Sequence, residues 1–408
     1  MFTRYNSLLW QKPKALDEFD TDRKVTWLEL FYDLIYVAVV SNMVHHLWAH
    51  FTLESLWIFI LVFIPVFLSW INGTYYHDFH GREDIRSRVV TLLHMITIWA
   101  MAVTVNKAFE WQLLWFTIAY MVHHFVTILL WYRVWHHNKN QRSIVRYYIT
   151  GYLLSIIVLG ISLFFSWYTT IFLWILAVAL SFWTPLFARK EHDKLVKINP
   201  YFSSISPSVM ERFGLFTILI LWESIAWVIA GLSTFHVMNP YYFWWVLIFG
   251  ITISFSMWWL YFDLVRWKTV KKGSCFWIAW NYFHLPLFVS VGLIGASIQY
   301  IVGHGWSHVW DLVAWSLAVA VSVVILSLWA ISYILKINET FSKARKRVNS
   351  ALFIIAVIVS LIPFTAHYVD AVVYLGLIFF ALVISLFFRI KVFVALELPE
   401  WKKKLGKW

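Results

Sequence analysis

Ionisable side chains are scarce in this sequence, and several sit in runs that are otherwise apolar. Glu29 and Asp33 are four residues apart, so a helix puts them on one face, which Tyr36 continues. Glu211, Arg212 and Glu223 interrupt the apolar run 211–224. A charged side chain at mid-bilayer costs roughly 2.5–3.5 kcal/mol on insertion scales, so it persists when it is paired or faces an internal cavity. Glu223 is twelve residues beyond Glu211, which is roughly 18 Å along a helix rising about 1.5 Å per residue. Acids held in apolar surroundings suit proton uptake and release. The plainer alternatives are interhelical hydrogen bonding for Glu223 and helix-start anions for Glu29 and Glu211.

Histidine adds to this chemistry. His94 and His284 fall about two turns inside their runs and are candidate proton carriers or substrate-positioning groups. Weaker candidates are His123–His124 and His45–His46, because adjacent residues on a helix point about 100° apart and chelate one metal poorly. Asp263 and Asp78 end apolar runs where water can reach them, and Asp263 is kept as a site candidate. Tyr36, Trp222, Trp258 and Trp259 are candidate pocket-lining aromatics, with core packing as the alternative. No H-E-x-x-H, C-x-x-C, G-x-S-x-G or P-loop pattern occurs. Cys275 is the only cysteine, which excludes an internal disulfide. No catalytic residue, metal or cofactor is expected.

The elements that must position these residues are membrane spans. The chain has 408 residues, 61% hydrophobic and only 13% charged, too little charge to cover a soluble protein of this length. Continuous apolar runs exclude a β-barrel, whose strands would alternate. The expected fold is an all-α polytopic integral membrane protein with about twelve spans. They run over 25–48, 56–76, 89–105, 110–135, 147–165, 168–187, 211–232, 241–265, 274–300, 310–335, 349–367 and 369–388. The arm 1–24 is polar and lacks a cleavable apolar core, so the first span is expected to direct insertion. The formal charge of +12 comes from loops and termini and not from a nucleic-acid surface. Loops after even-numbered spans hold essentially every Lys and Arg, with Lys107 the clear exception, so both termini are expected in the cytoplasm.

The order of landmarks repeats. Glu29-Leu30-Phe31 and Glu211-Arg212-Phe213 each open a span, Tyr76-His77-Asp78 and Tyr261-Phe262-Asp263 each close one, and His94 and His284 follow. Six spans per copy is an even number, so the two copies are expected to be parallel. The expected organisation is an arm 1–24, a first repeat 25–188, a cytoplasmic linker 189–210, a second repeat 211–388 and a basic tail 389–408.

These segments carry a resemblance. Val25-Thr26-Trp27-Leu28-Glu29-Leu30-Phe31-Tyr32-Asp33-Leu34-Ile35-Tyr36-Val37 resembles the opening signature of the bacterial low temperature requirement A (LtrA) proteins. Met210-Glu211-Arg212-Phe213-Gly214-Leu215-Phe216, continuing to Trp222-Glu223-Ser224-Ile225, is similar to their second signature. Trp258-Trp259-Leu260-Tyr261-Phe262-Asp263 and Tyr282-Phe283-His284-Leu285-Pro286 resemble further segments, in family order across most of the chain. Trp222 stands where the family usually has Gly, and its bulk would reshape the space around Glu223. The resemblance implies the membrane architecture, a link to growth in the cold, and weight on Glu29, Asp33, Glu211, Arg212, Glu223, Asp263 and His284. It implies no substrate.

The leading expected function is a proton- or cation-coupled secondary transporter of a small molecule in the bacterial cytoplasmic membrane. Asp33 and Glu223 would be its coupling acids, and Arg212 would neutralise a carboxylate at the inner mouth. The alternatives are an ion channel or proton pathway, a membrane redox protein, and a sensor of membrane state. Expected partners are the lipid bilayer, an unidentified small molecule or ion and a possible second copy, with no nucleic acid.

Overall fold

The computed structural model describes residues 11–15, 23–82, 84–165, 167–198, 205–233, 240–265, 268–304, 309–336, 342–392 and 394. Most of the expected arm 1–24, part of the linker 189–210 and most of the tail 389–408 lie outside the described residues. What is described is all-α apart from one isolated bridge, Val270 with Leu335. Twelve long helices and one short one follow in order. They are α1 (Trp27–Ala49), α2 (Leu53–His80), α3 (Ile85–Phe109), α4 (Leu113–His137), α5 (Arg142–Ser162), α6 (Trp167–Phe187) and the short α7 (Arg189–Ile198). Then come α8 (Pro207–Ser233), α9 (Pro240–Val265), α10 (Ser274–His304), α11 (Asp311–Ile334), α12 (Ser342–Leu361) and α13 (Ala371–Val392). Eleven segments among the described residues are long and apolar enough to cross a membrane. Helices are the form such sequences must take, because lipid offers backbone N–H and C=O groups no partner.

Contacts divide the chain into two compact units. The first comprises Met1–His46, Glu54–Phe216 and Lys272–Asn281. The second comprises Leu47–Leu53, Thr217–Lys271 and Tyr282–Trp408. In the first unit α3 packs on α4, α4 on α5 and α5 on α6, with α7 against α5 and α6. In the second, α9 packs on α11 and α13, and α12 packs on α11 and α13.

Helix faces in the first unit explain which side chains point inward. On α3, Val89, Leu92, Leu93, Ile96, Trp99 and Val103 form an exposed stripe, suited to lipid. The remaining arc buries Thr91, His94, Met95, Ile98 and Met101 at helical spacing. On α4 the buried arc holds Tyr120, His123, His124, Thr127 and Trp131. α2 is buried around most of its circumference and brings Trp70, Asn72, Gly73, Thr74, His77 and Asp78 inside. Gly73 is required by this packing. A Cβ there would stand within about 2 Å of the Tyr32 hydroxyl, so only glycine lets α1 and α2 come together at that point.

Both units tolerate proline inside long helices, at Pro65, Pro185 and Pro286. Proline removes one backbone hydrogen bond, and packed neighbours in a membrane bundle compensate. In the second unit, the close approach of α8 and α10 falls at Gly295, where a Cβ would meet the Ser224 hydroxyl at 2.9 Å.

Candidate functional site

α1 starts on a reciprocal cap. The Thr26 amide donates to the Glu29 carboxylate at 2.9 Å, and the Glu29 amide donates to the Thr26 hydroxyl at 3.3 Å. Glu29 also forms an ion pair with Arg23, which reaches Asp78 at 3.3 Å. The Ser208 hydroxyl donates to that same Asp78 carboxylate. Glu29 is therefore both a helix-start anion and part of an ionic cluster.

One turn deeper, Asp33 and Arg212 form a two-pronged ion pair, each 1% exposed. Arg212 Nε donates to Asp33 Oδ2 at 3.0 Å, and Nη2 donates to Oδ1. Trp70 Nε1 adds a third donor to Asp33 at 2.8 Å. The remaining guanidinium edge donates to the Thr74 carbonyl at 3.4 Å and lies 5.7 Å from the centroid of the Tyr32 ring. Phe216 stacks on Trp70 at 4.3 Å. Arg212 thus sits fully buried against Asp33, one turn deeper than Glu29. Buried charges in apolar surroundings survive only when all their hydrogen-bonding capacity is met, and this pair comes close to that condition.

Tyr32 starts a second network. Its hydroxyl is hydrogen-bonded with the Tyr36 hydroxyl at 3.0 Å and with His94 Nδ1 at 3.1 Å. His94 Nε2 is hydrogen-bonded with Thr127 at 3.3 Å. His123 stacks on His94 with centroids 4.4 Å apart, and its Nδ1 is hydrogen-bonded with Thr97 at 2.9 Å. The neighbouring His124 turns away to Ser181 at 3.1 Å. A histidine with partners on both nitrogens can accept a proton on one side and release it on the other.

Two cavities adjoin this network. The larger, about 900 Å³, opens where α1 begins and α2 ends, with Arg23, Lys24, Glu29, His77, Arg82 and Arg88 in its wall. The smaller, about 10 Å³, is lined by both His77 and His94. That is about the room one water needs, roughly 10–15 Å³. His77, Gly81, Ser87 and Thr91 line both cavities. The loop beyond is fixed by Asp84, the N-cap of α3, which accepts from the Ser87 amide at 3.1 Å and the Gln11 amide at 2.9 Å. Burial works against ionisation of Asp84, but these hydrogen bonds outweigh it and hold its carboxyl below the usual aspartate range.

Of the residues expected from the sequence, the first unit brings together Glu29, Asp33, Tyr36, His94 and Arg212. Glu211 belongs to the same unit but is exposed. Glu223, Asp263, His284, Trp222, Trp258 and Trp259 belong to the second unit. There His284 is fully buried and hydrogen-bonded with the Tyr261 hydroxyl at 3.2 Å. Glu223, Asp263 and Trp259 are half-buried, whereas Trp222 is 60% and Trp258 36% exposed. The Asp263 carbonyl accepts from Arg389 at 2.8 Å.

Sequence reasoning gave little weight to His123 and Asp78, and none to Tyr32, Trp70, Gly73, His77 and Thr127. The four-residue spacings Tyr32–Tyr36 and His123–Thr127 were the available signal.

Comparison with known proteins agrees with this architecture. The family model described as "Bacterial low temperature requirement A protein (LtrA)" matches residues 24–387. An uncharacterized protein of Rhizobium meliloti (strain 1021) is 24% identical over 332 residues, covering 77% of this chain and 76% of that protein. With long apolar helices in contact with lipid and a family match over most of its length, this chain is a multi-pass membrane protein belonging to the bacterial LtrA family.

Proposed function

We propose that the chain is a proton-coupled secondary transporter of a small molecule, with proton handling in the first unit. The observation that carries this is the small cavity lined by His77 and His94. Through His77 it neighbours the large basic cavity, and through His94 it reaches Tyr32, Thr127 and His123. A proton entering at the large cavity would pass His77, cross one water and reach His94. Asp33 is the coupling acid: its protonation would remove the charge that holds Arg212 and free α8 to shift against α1. Glu29, with Arg23 and Asp78, fixes the mouth.

The basic mouth is assigned to the cytoplasmic side, with both termini inside, on the distribution of Lys and Arg. The two repeats, 25–188 and 211–388, belong to this reading and rest on the matching order of Glu29 and Glu211, Asp78 and Asp263, and His94 and His284 along the chain. On that reading Glu211, Asp263 and His284 stand in the second half where Glu29, Asp78 and His94 stand in the first, and Glu223 is a further candidate coupling acid.

The test is proton movement in proteoliposomes carrying a trapped pH dye, with a panel of small metabolites and organic cations added outside. Solute-dependent acidification by the wild type, abolished in Asp33→Asn, is the expected result. Solute uptake that ignores the proton gradient would remove the coupling. Proton leak without any solute would favour a passive proton pathway, the second reading, which the same His77–His94 cavity supports.

A further inference from the structure

A separate cavity in the first unit, about 70 Å³, is lined by aromatic side chains. Trp131 and Tyr148 stack with centroids 5.0 Å apart and planes within 9°. Tyr75 packs on Trp277 at 4.7 Å, and Trp277 stacks on His192 of α7 at 5.3 Å. All five residues line the cavity. Most other polar groups in the wall are already committed. Asn72 is bonded with Tyr152 and Trp131, Tyr75 donates to Asn281 at 3.0 Å, and Ser181 holds His124. His192 differs. It is 8% exposed, and neither ring nitrogen has a hydrogen-bond partner among the described residues. An imidazole has a donor and an acceptor to satisfy, and a buried polar group left alone is costly.

We propose that this cavity is a binding site for a small single-ring aromatic molecule bearing one hydrogen-bonding group, of the phenol class, anchored on His192. At about 10–15 Å³ per water-sized group, the cavity takes roughly five to seven such groups, the size of one substituted ring. Aromatic walls favour a planar guest through offset and edge contacts, and the hydroxyl of the guest supplies what His192 lacks. A water cluster would satisfy His192 but leave the aromatic walls wet, and a lipid chain would cover the walls but leave His192 unmet. Binding at equilibrium does not depend on transport, so this inference stands or falls separately from the function proposed above.

The test uses the full chain in phosphatidylcholine nanodiscs, with 4-fluorophenol and fluorobenzene followed by fluorine NMR against empty nanodiscs. The wild type is expected to bind 4-fluorophenol saturably and at least tenfold more tightly than fluorobenzene. His192→Leu removes ring nitrogens that have no hydrogen-bond partner among the described residues and keeps an apolar side chain beside Trp277, so the fold should survive, and the preference for the hydroxyl should vanish while fluorobenzene binding stays. Equal affinity for the two probes in the wild type overturns the proposal without any variant. So does an unchanged 4-fluorophenol affinity in His192→Leu, or partitioning no different from empty nanodiscs.

Discussion

The two units bury different chemistry beneath similar apolar exteriors. Among the described residues, every buried carboxylate, Glu29, Asp33, Asp78 and Asp84, lies in the first unit, with Arg212 and six of the seven buried histidines. The second unit buries mostly hydroxyls, among them Ser224, Ser322, Ser327 and Ser332, with His284 and Arg389 as its buried basic groups. Serine in a membrane helix satisfies itself on a backbone carbonyl, as Ser322 does on Ala356 at 2.9 Å, and specifies close packing. Ionic groups in the same setting must find one another and lock. The contrast separates a unit organised by charge from one organised by small polar contacts, and the proton handling proposed above belongs to the first.

That contrast can be broken, and the largest lever is the ion pair. Arg212→Met leaves Asp33 buried without its partner and should cost about 3–5 kcal/mol in unfolding free energy. Asp33→Leu in the same chain should recover most of the loss, and a double variant as unstable as the single would show that the charges do not act as a pair. Gly73→Ala comes next. It drives a methyl into the Tyr32 hydroxyl and should cost about 1–3 kcal/mol as α1 and α2 part. A thermal midpoint equal to wild type would mean Tyr32 has another place to go.

Asp84→Ala removes the cap of α3 and should cost about 1 kcal/mol. The folded-state pKa of Asp84 is depressed, so its stabilisation is present above the unfolded value, about 3.9, and is lost as pH falls through the folded value. Wild type and Asp84→Ala should therefore converge in stability in acid, and a gap that persists there would assign the effect to packing. Smallest is Ser322→Ala in the second unit, which should cost about 0.6 kcal/mol, the usual worth of such a bond in a membrane. A loss rivalling Arg212→Met would erase the distinction between the units.

Much of this was legible before any geometry. Apolar length gave the helices, and the positions of Asp33 and Arg212 within apolar runs marked them as costly. Their pairing was not legible, because they are 179 residues apart and nothing local says which acid an arginine will meet. The expectation that Arg212 neutralises a carboxylate left open which one; neighbours on a helix diverge by about 100°, and Glu211 ends exposed. The same angle argued against His123 and His124 as one ligand set. It also allowed them separate partners, Thr97 and Ser181, which the sequence could not name. The cap at Glu29 was readable in Thr26-x-x-Glu29. Gly73 gave no signal, since a glycine that makes room is recognised only by what fills the room.

The most direct test of the central claim compares one histidine from each unit. Solute-driven proton movement would be measured in proteoliposomes of wild type, His94→Phe and His284→Phe, with thermal midpoints recorded to confirm folding. A charge-organised first unit predicts that His94→Phe abolishes proton movement while His284→Phe retains most of it. Intact coupling in folded His94→Phe, with loss confined to His284→Phe, would contradict the account and move the chemistry to the second unit.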